Sequence, residues 1–222
     1  MLSYCCLPYA FERVLRINEI NAIGIYVENI TDPDNPWKSI ENMYYWVHRK
    51  INYVEDVHIP SPRLAICDRV TEICYFEYTV VKDYVQTPLY TLRSGHGDCE
   101  DQSILLYAMI KYYLLNIYKE DISIWIGILT FHDGSKHVAL FIPVNESNLT
   151  ILDTAGSYLT VDTNNTITSR STSLELTIYT LHWLSRAGKV IDLIEIYVID
   201  IYTGKYELVA VGSITDLSLR GK

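Results

Sequence analysis

The chain carries few of the features that would announce a metal, a membrane or a nucleic acid. Its 5 cysteines, Cys5, Cys6, Cys67, Cys74 and Cys99, include no Cys-x-x-Cys pair. No Cys/His cluster has zinc-ligand spacing and no calcium loop of the EF-hand kind is present, so neither a metal nor a cofactor is expected. No run approaches the roughly 20 apolar residues that span a bilayer. The opening Met1-Leu2-Ser3-Tyr4-Cys5-Cys6-Leu7-Pro8 lacks a basic stretch followed by a long apolar one. The expectation is a cytoplasmic chain with no membrane span. Cations are also scarce: 18 Lys and Arg stand against 27 Asp and Glu, a net charge of -9, with no basic run. Such a surface repels phosphate backbones, which argues against nucleic acid as a partner. An odd cysteine count leaves at least one free thiol. Cys67 and Cys74 could pair across a short loop, whereas the neighbours Cys5 and Cys6 would bridge only with strain.

With 222 residues, 49% of them hydrophobic, the chain can bury one large core. After the turn Asp32-Pro-Asp-Asn-Pro36, residues Trp37, Ile40, Tyr44, Val47 and Ile51 recur at helical intervals, with Pro36 in the first turn. Ile59-Pro-Ser-Pro62 reads as extended, and strand is expected within about Val70 to Val85. A second helix opens near Asp98, which can cap it, with Asp101 in the place of the capping-box acid. Its apolar stripe is Ile104, Leu105, Ala108, Tyr112 and Leu115. Strands follow over Ile122–Phe131, His137–Pro143 and Asn148–Asp153, the first two joined by Asp133-Gly134. Leu174–Ala187 reads as a helix ended by Gly188, and Leu193–Tyr202 and Tyr206–Ile214 as strands turning near Gly204. Helices followed by a mainly antiparallel sheet make an α+β domain.

Cys99 falls in the first turn of the second helix, where unpaired amides and the helix dipole favour a thiolate. Asp98, Glu100 and Asp101 oppose that charge, so the sulfur needs a nearby cation, such as an imidazolium. His137 and Asp153 sum to 290, which sets them opposite each other if the hairpin turn is centred on Asn145. His137 Nδ1 then donates to Asp153 and leaves Nε2 for a thiol. Of the other histidines, His96 sits in a Gly-flanked loop, His132 borders a turn, and His48, His58 and His182 show no partner in the sequence.

Gln86-Thr-Pro88 followed by Thr91-Leu92-Arg93-Ser-Gly95-His-Gly97-Asp98-Cys99-Glu100-Asp101 resembles the nucleophile segment of transglutaminase-like, papain-fold proteins, especially archaeal and bacterial ones. His137-Val-Ala-Leu-Phe-Ile142 is similar to their histidine strand and Ile151-Leu-Asp153-Thr to their aspartate strand. The resemblance spans roughly Trp37 to Gly156; Tyr90 departs from it, standing where a glutamate often precedes Thr-Leu. It implies a papain-like fold with the nucleophile helix packed on the sheet. It also implies Cys99 as nucleophile, His137 as acid/base, Asp153 as its orienting partner, and Gln86 as oxyanion donor beside the Cys99 amide. The chain then divides into a 1–34 N-terminal extension, a 35–158 catalytic core and a 159–222 part completing one domain.

The activity implied is hydrolysis of amide or peptide bonds in a peptide or protein substrate, through a thioester acyl-enzyme and without a cofactor. Acyl transfer to an amine, as in transglutaminases, shares the same chemistry up to that intermediate. A non-enzymatic binding module that keeps the fold is the alternative of another class.

Overall fold

Three short helices open the described part of the chain: α1 (Leu7–Val14), α2 (Ile17–Ala22) and α3 (Gly24–Glu28). The computed structural model describes residues 7–56, 59–67, 74–81 and 84–213. Cys5, Cys6 and His58 therefore lie outside the described residues. Phe11, Leu15, Ile20, Ile23 and Val27 are fully buried in the main core, so helices α1 to α3 pack on the body of the protein.

Helix α4 (Pro36–Lys50) starts where Pro36 fixes φ and the Asn35 side chain accepts from the Lys38 amide at 3.0 Å. Its stripe Ile40, Met43, Tyr44 and Val47 is buried. The two-residue strand β1 (Asn52–Tyr53) follows, and β2 (Ile59–Cys67) pairs antiparallel with β3 (Cys74–Val81), Cys67 opposite Cys74. Next comes a helix that the periodicity did not reveal, α5 (Pro88–Ser94). It spans two turns, too short to show a stripe, and is set by its ends: Thr87 caps it, Pro88 opens it, and Gly95 closes it at φ 69°. Strand β4 (His96–Gly97) then pairs parallel with β1.

Helix α6 (Cys99–Tyr112) is buried at every position from Cys99 to Lys111. A helix covered on all sides is a central one, and α6 lies between the sheet and helices α2 to α5. It runs on as a π-helical turn over Tyr113–Tyr118, which holds the stripe residue Leu115. The main sheet is formed by β5 (Trp125–Phe131), β6 (Lys136–Val144), β7 (Asn148–Asp153), β8 (Tyr158–Leu159), β9 (Arg170–Ser171), β10 (Ile191–Ile199) and β11 (Tyr206–Gly212), with α7 (Thr172–Ala187) between β9 and β10. The strand order is β11-β10-β5-β6-β7-β8, with β9 also on β7, and every pairing is antiparallel. The domain is α+β, with the Cys99 helix packed on a mainly antiparallel sheet.

Alternation along the strands divides two cores. Val138, Leu140, Ile142 and Leu152 join the α6 side, while Ala139, Phe141, Leu149 and Ile151 join the α7 side with Leu176, Tyr179 and Trp183. No helix of the described residues is long and apolar enough to cross a membrane.

Gly127, opposite Ala139 in the centre of the sheet, has room for no side chain: a Cβ there would lie 2.1 Å from the Phe141 ring. Gly127→Ala is expected to destabilise by about 1–3 kcal/mol through overpacking, read as a lower urea midpoint with unchanged slope.

Candidate functional site

Asp98 supplies the N-cap of α6, its side chain accepting from the Asp101 amide at 3.4 Å. The reciprocal half of a capping box does not form. Asp101 Oδ1 accepts from the Gln86 main-chain amide at 2.7 Å, and Oδ2 is buried without a hydrogen-bond partner. This bond ties the segment ahead of α5 to the start of α6, and it is how Gln86 comes near the first turn. Gln86 is itself buried, with its side-chain oxygen accepting from the Thr91 hydroxyl at 3.2 Å.

Cys99 is the first residue of α6, 8% exposed and free of any disulfide. Its position on the sheet follows from where one ladder stops. The β6–β7 pairing ends at Leu140↔Leu152, and one turn of α6 occupies the continuation. The Ser103 hydroxyl donates to the Val138 carbonyl at 3.0 Å, and the Val138 amide is near enough to the Cys99 sulfur to favour its anion. The thiol is therefore held one residue from His137. In the same arrangement the S–H donates to Glu100 Oε2 at 3.0 Å.

The local charge is negative. Burial, then the Cys99 and Asp98 neighbours, push up the Tyr53 phenol beside the site. Burial raises the Cys99 thiol well above the ordinary range, reinforced by Glu100 and Asp98 and opposed by the Val138 amide. Asp98 is pushed up to about 10 by burial with Glu100 and Asp101 close by. Burial also brings Asp101 to about 7, against the Gln86 amide that favours its anion. In this arrangement the sulfur is a neutral thiol. Asp56, Asp98 and Glu100 each bring a carboxylate oxygen within 4.8 Å of the others, so these are the described residues that could hold a cation.

His137 and Asp153 meet on the α7 side of the sheet. His137 Nε2 lies 2.8 Å from Asp153 Oδ1, with both side chains buried. Two details differ from the sequence reading. Paired residues of β6 and β7 sum to 292, not 290, because Asn145 takes a left-handed conformation (φ 61°) and its side chain caps the amides of Ser147 and Asn148, giving a three-residue loop. A shift of two keeps the face, so the pair meets diagonally rather than head-on. The ring is also used the other way round: Nε2 serves the carboxylate, leaving Nδ1.

Asp153 is fully buried, and burial would favour its neutral form. His137, Tyr179 and the Gly156 amide outweigh that and hold it below the usual carboxylate range. The Gly156 amide donates to Oδ1 at 2.6 Å and the Tyr179 phenol to Oδ2 at 2.6 Å. Gly156 can come this close only without a side chain, since a Cβ would lie 2.0 Å from Asp153 Oδ2. The Trp183 indole meets the His137 ring edge-on, with centroids 4.6 Å apart. The Asp153 loop is braced further by the Tyr44 hydroxyl on the Asp153 carbonyl, by His48 Nδ1 on the Thr154 carbonyl at 2.9 Å, and by His182 Nε2 on the Gly156 carbonyl at 2.9 Å.

The structure thus brings His137 to Asp153, Cys99 to the main chain beside His137, and Gln86 to Asp101. Among the described residues it shows no hydrogen bond between His137 and Cys99. Tyr179 and Trp183 escaped the sequence reading because α7 lies beyond the stretch that carries the family resemblance. Their spacing of four places them on one helix face, and that was the available signal. His96 and His132 are exposed; His96 Nδ1 contacts the Ser94 carbonyl and His132 Nδ1 contacts Asp192.

No family model matches the chain. A UPF0252 protein of Archaeoglobus fulgidus is 26% identical over 147 residues, covering 64% of this chain. The chain spans 40% of the length of that relative. Solved structures of Legionella pneumophila LapG align at a TM-score of 0.40 and 15% identity. The EGTA-treated form covers 81% of this chain and 84% of its own, and the calcium-bound form covers 90% of each.

Two outcomes follow from the charge around Cys99. Glu100→Gln removes both the anion and the acceptor charge at the thiol, so iodoacetamide should alkylate Cys99 several-fold faster at neutral pH, read by peptide mass spectrometry. Asp98 keeps its proton in the folded chain up to about pH 10 but loses it near 3.8 when unfolded. The folded state then binds the extra proton across that interval, and this contribution to stability is lost as pH rises. Asp98→Asn, which keeps a good cap, should flatten the fall in urea midpoint between about pH 6 and about pH 9.

Proposed function

We propose that the protein is a thiol-dependent hydrolase of amide or peptide bonds, with Cys99 as nucleophile, His137 as acid/base and Asp153 as the partner that orients it, on a papain-like, transglutaminase-like fold. The observation that supports this reading is the buried His137–Asp153 pair at the start of β6, with helix α6, which begins at Cys99, docked on the carbonyl of the very next residue through Ser103. Asp153 is held as an anion, so it accepts from Nε2–H and the neutral ring presents an unprotonated Nδ1.

The Cys99 proton passes to Nδ1, and the thiolate attacks the substrate carbonyl. The resulting oxyanion is stabilised by the Cys99 amide, with Gln86 as the second donor. The imidazolium returns its proton to the departing amine, leaving a thioester. Water then adds with His137 as base, releasing the acid and restoring the thiol. An amine in place of water would give acyl transfer. Peptides or proteins are the substrates this chemistry fits, and no cofactor enters the sequence of steps.

The bond from the thiol to Glu100, and the burial of both, favour a second reading: a binding module that has kept the outline of the site. Alkylation separates the two. If the thiolate–imidazolium pair forms, Cys99 reacts with iodoacetamide at about pH 6 ahead of the other four cysteines, and His137→Ala abolishes that advantage. A Cys99 that reacts no faster than an ordinary thiol, in wild type and His137→Ala alike, supports the binding module.

A further inference from the structure

Helix α7 lies in the part of the chain that the catalytic reading does not use, yet it reaches the heart of the site. Tyr179 is fully buried, and its phenol donates to Asp153 Oδ2 at 2.6 Å. Asp153 Oδ1 is shared by His137 Nε2 and the Gly156 amide. A buried carboxylate needs donors on both oxygens, or it either takes up a proton or turns until it finds them. On Oδ2 the side-chain donor is the Tyr179 phenol.

We propose that Tyr179 is a positioning residue for the His137–Asp153 pair: by donating to Oδ2 it fixes the rotation of the carboxylate, so that Oδ1 stays aligned with His137 Nε2 and the ring stays turned with Nδ1 towards the β6 main chain. This deepens the catalytic reading and rests on it for its consequence in turnover, but not for its geometry.

The surroundings give the phenol no competing role. Burial and the adjacent Asp153 push its ionisation far up, so it acts as a donor throughout. The other titratable groups facing this region are Tyr44 from α4, which donates to the Asp153 carbonyl, Tyr158 from β8, whose hydroxyl is engaged by Glu175, and His182 from α7, which is held on the Gly156 carbonyl. None of these bonds places a donor on Oδ2. One turn along α7, Trp183 closes the other side of the imidazole. The helix thus grips the carboxylate by Tyr179 and the ring by Trp183.

The test is Tyr179→Phe, which removes one oxygen and keeps the ring. In the 222-residue chain, the buried His137 Nε2–H should give a slowly exchanging downfield proton signal, assigned by its loss in His137→Gln. Tyr179→Phe is expected to remain folded and to lose or broaden that signal. It should also lower kcat on a peptide substrate by roughly ten- to a hundredfold with KM little changed. A folded Tyr179→Phe that keeps the signal sharp overturns the proposal. Should the variant not fold, the wild-type chain decides: a slowly exchanging Tyr179 hydroxyl proton that shifts in Asp153→Asn supports the proposal, and its absence overturns it. The proton signals are read without turnover. A wild type that shows them but hydrolyses nothing counts against the catalytic reading and leaves the positioning role supported.

Discussion

Everything at the site depends on one early stop in the sheet. Past Leu140↔Leu152 the two central strands no longer pair, and the amide and carbonyl of Val138 would be left as buried, unmade hydrogen bonds. The start of α6 covers both: the Ser103 hydroxyl donates to the carbonyl, and the amide is left near the Cys99 sulfur. That exchange docks a helix against a strand end to within hydrogen-bond reach. It also lets Asp153 leave its partner strand and turn into the loop where Gly156, Tyr44, His48 and His182 hold it. Had the ladder run on, Cys99 would have no place at the sheet and Asp153 would have no room for its three donors.

The cost of this arrangement lies in charge. A helix start buried under the sheet needs a cap, and Asp98 provides it. Asp101 is needed again to hold Gln86. Together with Glu100 they form an acidic first turn around a sulfur that the proposed chemistry requires as an anion. Burial raises Asp98, Asp101 and the Cys99 thiol, and the result is a protonated thiol leaning on Glu100. The same first turn therefore anchors the helix and restrains its thiol, and the dipole of α6 does not overcome burial beside Glu100 and Asp98.

The elements with strong local signals were legible in the sequence. Pro36 and the Trp37-to-Ile51 spacing gave α4, Asp98 gave the start of α6, and the alternating runs gave β5, β6 and β7 within three residues at each end. The facing of His137 and Asp153 could be read because parity survives a register change of two, although the register itself could not: it was set by a left-handed Asn145 that no pattern announces. Helix α5 was hidden by its length. The double role of Asp101 was hidden because a capping-box acid and a tertiary acceptor look alike in a sequence. The α7 contribution was hidden for a broader reason. Tyr179 and Trp183 read as core aromatics, and in packing terms that is what they are. Only the sheet topology, which brings α7 across the face that carries His137, gives their polar atoms and edges a second use.

The reversed imidazole follows from the same geometry. Nδ1 is attached to the ring carbon nearest the main chain, while Nε2 is at the far side. The Cys99 sulfur is held at the Val138 amide, close to the β6 backbone, and Asp153 stands diagonally across on β7. The ring growing from His137 reaches the diagonal carboxylate with its far nitrogen, which leaves the near nitrogen close to the β6 main chain. The opposite assignment, with Nδ1 on Asp153, suits residues directly opposed on paired strands, where the carboxylate comes close to the base of the ring. Once the pair became diagonal, the far nitrogen was the one able to span the gap. The two departures from the sequence reading are thus one: the turn is centred on Glu146 rather than Asn145, which sets Asp153 diagonally from His137, and the far nitrogen of the imidazole is the one that meets it.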